Sequence, residues 1–122
     1  SVLCQWNMKQ NELLYSVLNE GVHESHNPER VLWLCVILQQ LLDATKPEYE
    51  GENSYNILIR DRAKTWLTSS YGVTATDRDD VCHMAGVEPE ALRTFTKKLF
   101  DENNEIEFVR KRINAILHET IG

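Results

Sequence analysis

Eight consecutive apolar residues, VLWLCVIL from Val31 to Leu38, constrain this chain more than any other stretch. They follow Asn27, Pro28 and Glu29, which read as a cap, a proline at the first helical position and an acid near the positive end of the dipole. Gln39 and Gln40 interrupt the run well short of the roughly 20 residues that span a bilayer. A helix over about 28–43 that is apolar on nearly every side must be covered by neighbours from several directions. It predicts the centre of a single compact all-α domain, which 122 residues suffice to build.

The neighbours are legible by period. A helix over about 8–19 carries Leu13, Leu14, Val17 and Leu18 on one face and stops before Gly21. The stretch TKPEYEGEN, residues 45 to 53, combines proline, glycine and acid in a solvated connection. From Ser54 a helix runs to about Ser69, with Leu58 or Ile59, Ala63, Trp66 and Leu67 facing inward and Arg60, Arg62 and Lys64 outward. SYGVTA is a loop closed by Thr76, which has Asp79 three residues on, a capping-box variant. A short helix ends at Gly86, and a further helix starts at Pro89 and runs to about Phe100. After DENN, residues 101 to 104, a last helix places Ile106, Val109, Ile113, Ile116 and Leu117 on one stripe. The total is five or six helices, with a core containing Leu34, Val36, Ile37, Trp66, Leu67, Val81, Leu92 and Phe95. No run alternates with strand period.

The charge of −6 is unevenly placed: residues 1 to 59 hold three basic and eight acidic residues, and residues 60 to 122 hold ten and eleven. Such a field repels nucleic acid unless a local patch neutralises phosphate. Cys4, Cys35 and Cys82 are odd in number, have no CxxC spacing and sit in helical patterns, so they read as reduced, buried thiols. With no membrane span and no basic-then-apolar leader at the N-terminus, a cytoplasmic location is expected, of a cell or of an infected host.

VCHMAGVEPEALRTF, Val81 to Phe95, has the grammar of a helix-turn-helix. With Gly86 as the ninth position of the usual twenty, Val81, Cys82, Ala85, Val87, Leu92 and Phe95 fall where that motif needs small or apolar residues. The unit covers about residues 77–100 and resembles the corresponding motif of lac-repressor-type regulators. The side chains it would aim at a major groove are Glu88, Glu90, Arg93, Thr94 and Lys97. Lys98 continues that line, and Arg110, Lys111 and Arg112 join it if the last helix packs alongside. Two acids at this end disfavour phosphate unless each is matched, for instance to a cytosine amino group. Solvated charge with a cap at Glu88 is the plainer account of the same residues.

Two clusters carry a wider likeness: Leu32, Trp33, Val36, Gln39, Gln40, Asp43 and Ala44, then Arg60, Asp61, Ala63, Trp66, Leu67 and Ser69 followed by Val81, Cys82, Ala85, Gly86, Pro89, Glu90 and Arg93. Over about residues 31–95 the chain resembles a family of small helical proteins encoded in tailed-phage and prophage genomes, especially of proteobacteria. The resemblance implies a phage-borne accessory protein and brings no activity with it. The acidic connection from Pro47 to Asn53 departs from the family pattern, and the first thirty residues have no counterpart in it.

Chemistry is sparse. His23 and His26 lie in a loop, and Cys82, His83 and His118 lack zinc-ligand spacing, so neither a metal nor another cofactor is expected. Cys82 at a close-packed position is the opposite of an activated thiolate. Asp77, Asp79 and Asp80 need no more than the dipole of a helix N-terminus, and the five glycines form no phosphate loop. An enzyme is therefore not expected. Two functions remain: a small phage-type regulator binding DNA through the helix-turn-helix, with a homodimer to read two half-sites, or a non-enzymatic accessory protein using its acidic half against a basic protein partner.

Overall fold

The computed structural model describes residues 28–102 and 105–121. They form five helices: α1 (Pro28–Ala44), α2 (Ser54–Thr68), α3 (Val73–Ala85), α4 (Pro89–Glu102) and α5 (Ile106–Ile121). The helix expected over 8–19, the Asn27 cap, the paired histidines of the loop and Cys4 lie outside the described residues. No described helix is long and apolar enough to cross a membrane.

α1 takes the central place its composition demands, packing against α2, α3 and α5. Leu34, Ile37, Leu38 and Leu41 are almost wholly removed from solvent, while Val36 and Trp33 are half-buried at the edge of the same cluster and Leu32 is exposed. Trp66 and Leu67 from α2, Val81 and Cys82 from α3, and Leu92 and Phe95 from α4 complete the core. α5 contributes Val109, Ile113 and Ile116, with Ile106 and Leu117 partly covered beside them, so its apolar stripe faces inward as its period requires.

The start of α3 differs from the sequence reading. α3 begins at Val73, not near Thr76, and its N-cap is Gly72 at φ 93°, which makes no side-chain cap bond. Thr76 lies inside the helix, where its hydroxyl donates to the Gly72 carbonyl at 3.1 Å. A capping-box spacing one turn inside a helix looks the same in sequence as one at its start. The connection over 45–53 is non-helical as expected, and the Asn53 side chain closes it by accepting from the Asn56 amide at 2.9 Å.

The ends of α1 and α2 lack glycine, and arginines take its place. Arg110 on α5 donates to the Leu42 carbonyl at 2.6 Å and to the Thr45 hydroxyl at 2.9 Å, meeting the C-terminus of α1. Arg78 on α3, only 2% exposed, sends Nη1 to the carbonyls of Ser69 (2.6 Å), Trp66 and Leu67 (both 3.4 Å) at the end of α2. Its Nε and Nη2 are held by the Asp79 carboxylate at 3.1 and 3.0 Å. The last carbonyls of a helix have no intrahelical donor, and a cation there also meets the negative end of the dipole.

α3 does end on glycine. Gly86 sits at φ 77°, ψ 23°, and the amides of Gly86 and Val87 reach back to His83 (3.3 Å) and Cys82 (2.9 Å), the paired bonds of a Schellman motif. Val87 is buried against the core as that motif prefers. A Cβ at position 86 would also meet the Arg30 guanidinium, 3.1 Å away at Nε.

Gly86→Val should therefore destabilise the fold by more than about 1 kcal/mol in chemical denaturation, from the left-handed backbone alone. Arg78→Met should cost about 2–3 kcal/mol, because the α2 carbonyls lose a charged donor while staying largely covered; an unchanged denaturation midpoint would remove Arg78 from its capping role.

Candidate functional site

The residues expected to face DNA occupy α4 and α5, and most are held by neighbouring groups. Glu88 and Glu90 are exposed at the start of α4, where the Glu88 carbonyl accepts from the Leu92 amide at 3.1 Å. Arg93 is not extended into solvent: Nη1 pairs with Glu90 at 2.5 Å, and Nε donates to the Thr68 carbonyl at 3.3 Å. Thr94 and Lys97 are exposed. Lys98, half-buried, lies 4.0 Å from Glu102 on the next turn. α5 leans mainly on α1, and Arg110 is turned to the end of α1 as described above, while Lys111 is exposed and Arg112 half-buried. The nine side chains thus form no single basic strip. Glu88, Glu90, Asp101 and Glu102 answer Arg93, Lys97 and Lys98 along and just before α4.

Arg60, expected to point outward, is 4% exposed. Glu52 grips it with both oxygens, 3.1 Å from Nη1 and 2.5 Å from Nη2, and Glu48 lies 3.5 Å from Nη2. The acidic connection therefore folds back onto α2 and neutralises a cation that the core side of the helix brings inside. Two of its acids are engaged within the chain, and the hydrogen bond from Arg60 holds the Glu52 carboxyl below the usual glutamate range.

Cys35 and Cys82 are free and buried. Burial pushes the Cys82 thiol up to about 12, so at neutral pH it is a protonated core residue without nucleophilic character. Among the described residues no group of three His, Cys, Asp or Glu side chains is placed to hold a metal ion.

A concavity lies elsewhere, between α1 and α2, with Thr74 of α3 also in its lining. It is an open groove of about 550 Å³, with Gln40 and Asp43 on one bank, Ile59, Arg62 and Thr65 on the other, and Ala63 and Trp66 beneath. Trp66 is held by its indole N–H, which donates to the Asp77 carboxylate of α3 at 2.8 Å, so Asp77 has a named partner beyond the helix dipole. Gln39 donates to Asp43 Oδ1 at 3.1 Å and fixes the α1 bank. Beyond one end of the groove, α2 continues with exposed Tyr55 and Leu58. In the segment that leads to lining residue Thr74, Tyr71 and Val73 are 86% and 88% exposed. Sequence reasoning missed this groove because its banks are separated by the acidic connection; the available signal was that Tyr55, Leu58 and Arg62 share one helical face.

Comparison with protein families, curated proteins and solved structures gives no match for the chain.

The Glu52–Arg60 pair makes stability depend on pH in a defined direction. Because the folded state holds Glu52 below its unfolded pKa of about 4.3, the contribution is complete above that value and is lost as pH falls through the folded pKa. Glu52→Gln should melt below the wild type at neutral pH, and the gap should close on acidification; a gap constant with pH would contradict the assignment.

Proposed function

We propose that the chain is a non-enzymatic binding module that acts on a protein partner, with the α1–α2 groove and its flanks as the contact face. The observation that carries this reading is an open groove floored by Ala63 and Trp66, with exposed Tyr55 and Leu58 on the helix that forms one bank and exposed Tyr71 and Val73 in the segment that leads to lining residue Thr74. Single exposed apolar residues are ordinary on a protein surface; several in the segments that adjoin a concavity favour its use as a contact face. The likeness to small phage-encoded proteins fits a role in modulating a larger host or phage machine.

A DNA-binding regulator is the second reading, favoured by the left-handed turn at Gly86 and by the exposure of Thr94 and Lys97 on the helix that follows it. Its weakness is electrostatic. With Arg93 bonded to Glu90 and Thr68, and Arg110 bonded to α1, a duplex would gain few phosphate contacts without breaking internal ones.

Fluorescence anisotropy with mixed-sequence duplex DNA at two salt concentrations separates the readings. The protein-binding reading expects no saturable, salt-steep association and no response to Arg93→Glu with Lys97→Glu. It also expects a stoichiometric protein partner captured from bacterial lysate to be lost on Ile59→Glu in the groove. Tight DNA association that falls steeply with salt and is abolished by the α4 double variant would establish the regulator instead.

A further inference from the structure

The groove's charges narrow what can occupy it. Asp43 and Asp61 stand on its opposite banks, and Arg62 is the one cation among its lining residues. Asp43 accepts one hydrogen bond, from Gln39 to Oδ1, and Asp61 is exposed, its carboxylate close enough to Arg60 to favour that cation. Asp77, outside the lining, is taken up by the Trp66 indole. With two carboxylates to one guanidinium, the lining carries a net negative charge that favours a cation.

Length narrows it further. α2 has 15 residues, which at 1.5 Å per residue makes a bank of about 22 Å. Tyr55 and Leu58 lie towards its N-terminal end, Arg62 and Trp66 along the groove, and Tyr71 and Val73 just past its C-terminus. An apolar and acidic track of that reach exceeds a small molecule and suits a peptide segment laid along it.

Resting on the protein-binding reading, we infer that the α1–α2 groove receives a basic amphipathic segment of the partner. Its lysine or arginine side chains meet Asp43 and Asp61, and its apolar side chains cover Ile59 and the Trp66 ring. The ammonium or guanidinium donates to the open carboxylate oxygens, and Arg62 at the rim excludes a second cation there and selects spacing. The partner's chemistry is thus a short run alternating cationic and aliphatic residues, not an acidic or purely apolar one.

The probe is a synthetic amphipathic peptide of leucine and lysine, set against its leucine and glutamate counterpart and followed by nitrogen-15 NMR of the whole chain. The expected result is saturable binding of the lysine peptide alone, with shifts confined to the Trp66 indole and the groove residues. Asp43→Asn with Asp61→Asn should weaken it about tenfold or more. Glu50→Gln with Glu119→Gln, which removes equal charge from exposed positions away from the groove, should leave it unchanged. Equal weakening by both double variants would reduce the effect to net charge and overturn the inference, as would binding of both peptides alike. If Ile59→Glu abolishes capture of a protein partner while the lysine peptide fails to bind, the inference falls and the protein-binding reading stands.

Discussion

Guanidinium groups tie the ends of helices across this domain's apolar core. A helix leaves its last carbonyls without internal donors, and a chain that ends α1 and α2 without glycine must satisfy them otherwise. Arg110 does so for α1, and Arg78, with help from Arg93, does so for α2. Each donor reaches from another helix, so every cap is also a tertiary tie: α5 to α1, α3 to α2, α4 to α2. The planar fork of arginine, with five N–H groups, can serve a carbonyl and a carboxylate at once, as Arg78 does with Ser69 and Asp79.

That use of arginine bears directly on function. Counted from the sequence, α4 and α5 carry enough positive charge for a modest nucleic-acid surface; counted from their bonds, Arg93 and Arg110 are working inside the fold. The acidic connection is similar, since Glu52 and Glu48 serve Arg60. In the α1–α2 groove Asp61 is exposed and Asp43 half-buried, and exposed Tyr55 and Leu58 lie on the same helix as Asp61. Among the described residues, part of the acid of the connection and part of the basic charge of α4 and α5 is thus balanced within the fold.

Elements whose physics is local were legible in the sequence. The apolar run from Val31 to Leu38 marks the central helix, the stripe from Ile106 to Leu117 marks the last one, and Gly86 sits at the left-handed turn because a glycine between a small-residue helix and Val87 has few other uses. The start of α3 was not legible, because its real cap, Gly72, makes no side-chain bond and Thr76 offers a more familiar signal one turn later. The burial of Arg60 and Arg78 was hidden for a different reason: arginine is ordinarily exposed, and apart from Asp79 the partners here stand eight to twelve residues away. The groove was the least legible of all, since Gln40 and Asp43 meet Ile59 and Arg62 only once α1 and α2 have packed.

The central claim is that Arg60, Arg78 and Arg110 are fixed structural ties and not mobile surface cations. Nitrogen-15 NMR of the arginine side chains tests it most directly, because a guanidinium held by carbonyls or carboxylates rotates slowly and shields its protons from water. Separate, slowly exchanging Nη resonances are predicted for these three, distinct from the averaged signal of exposed Arg62. If all arginines give one averaged, fast-exchanging signal at neutral pH in the folded protein, the caps are not formed and the account built on them is wrong.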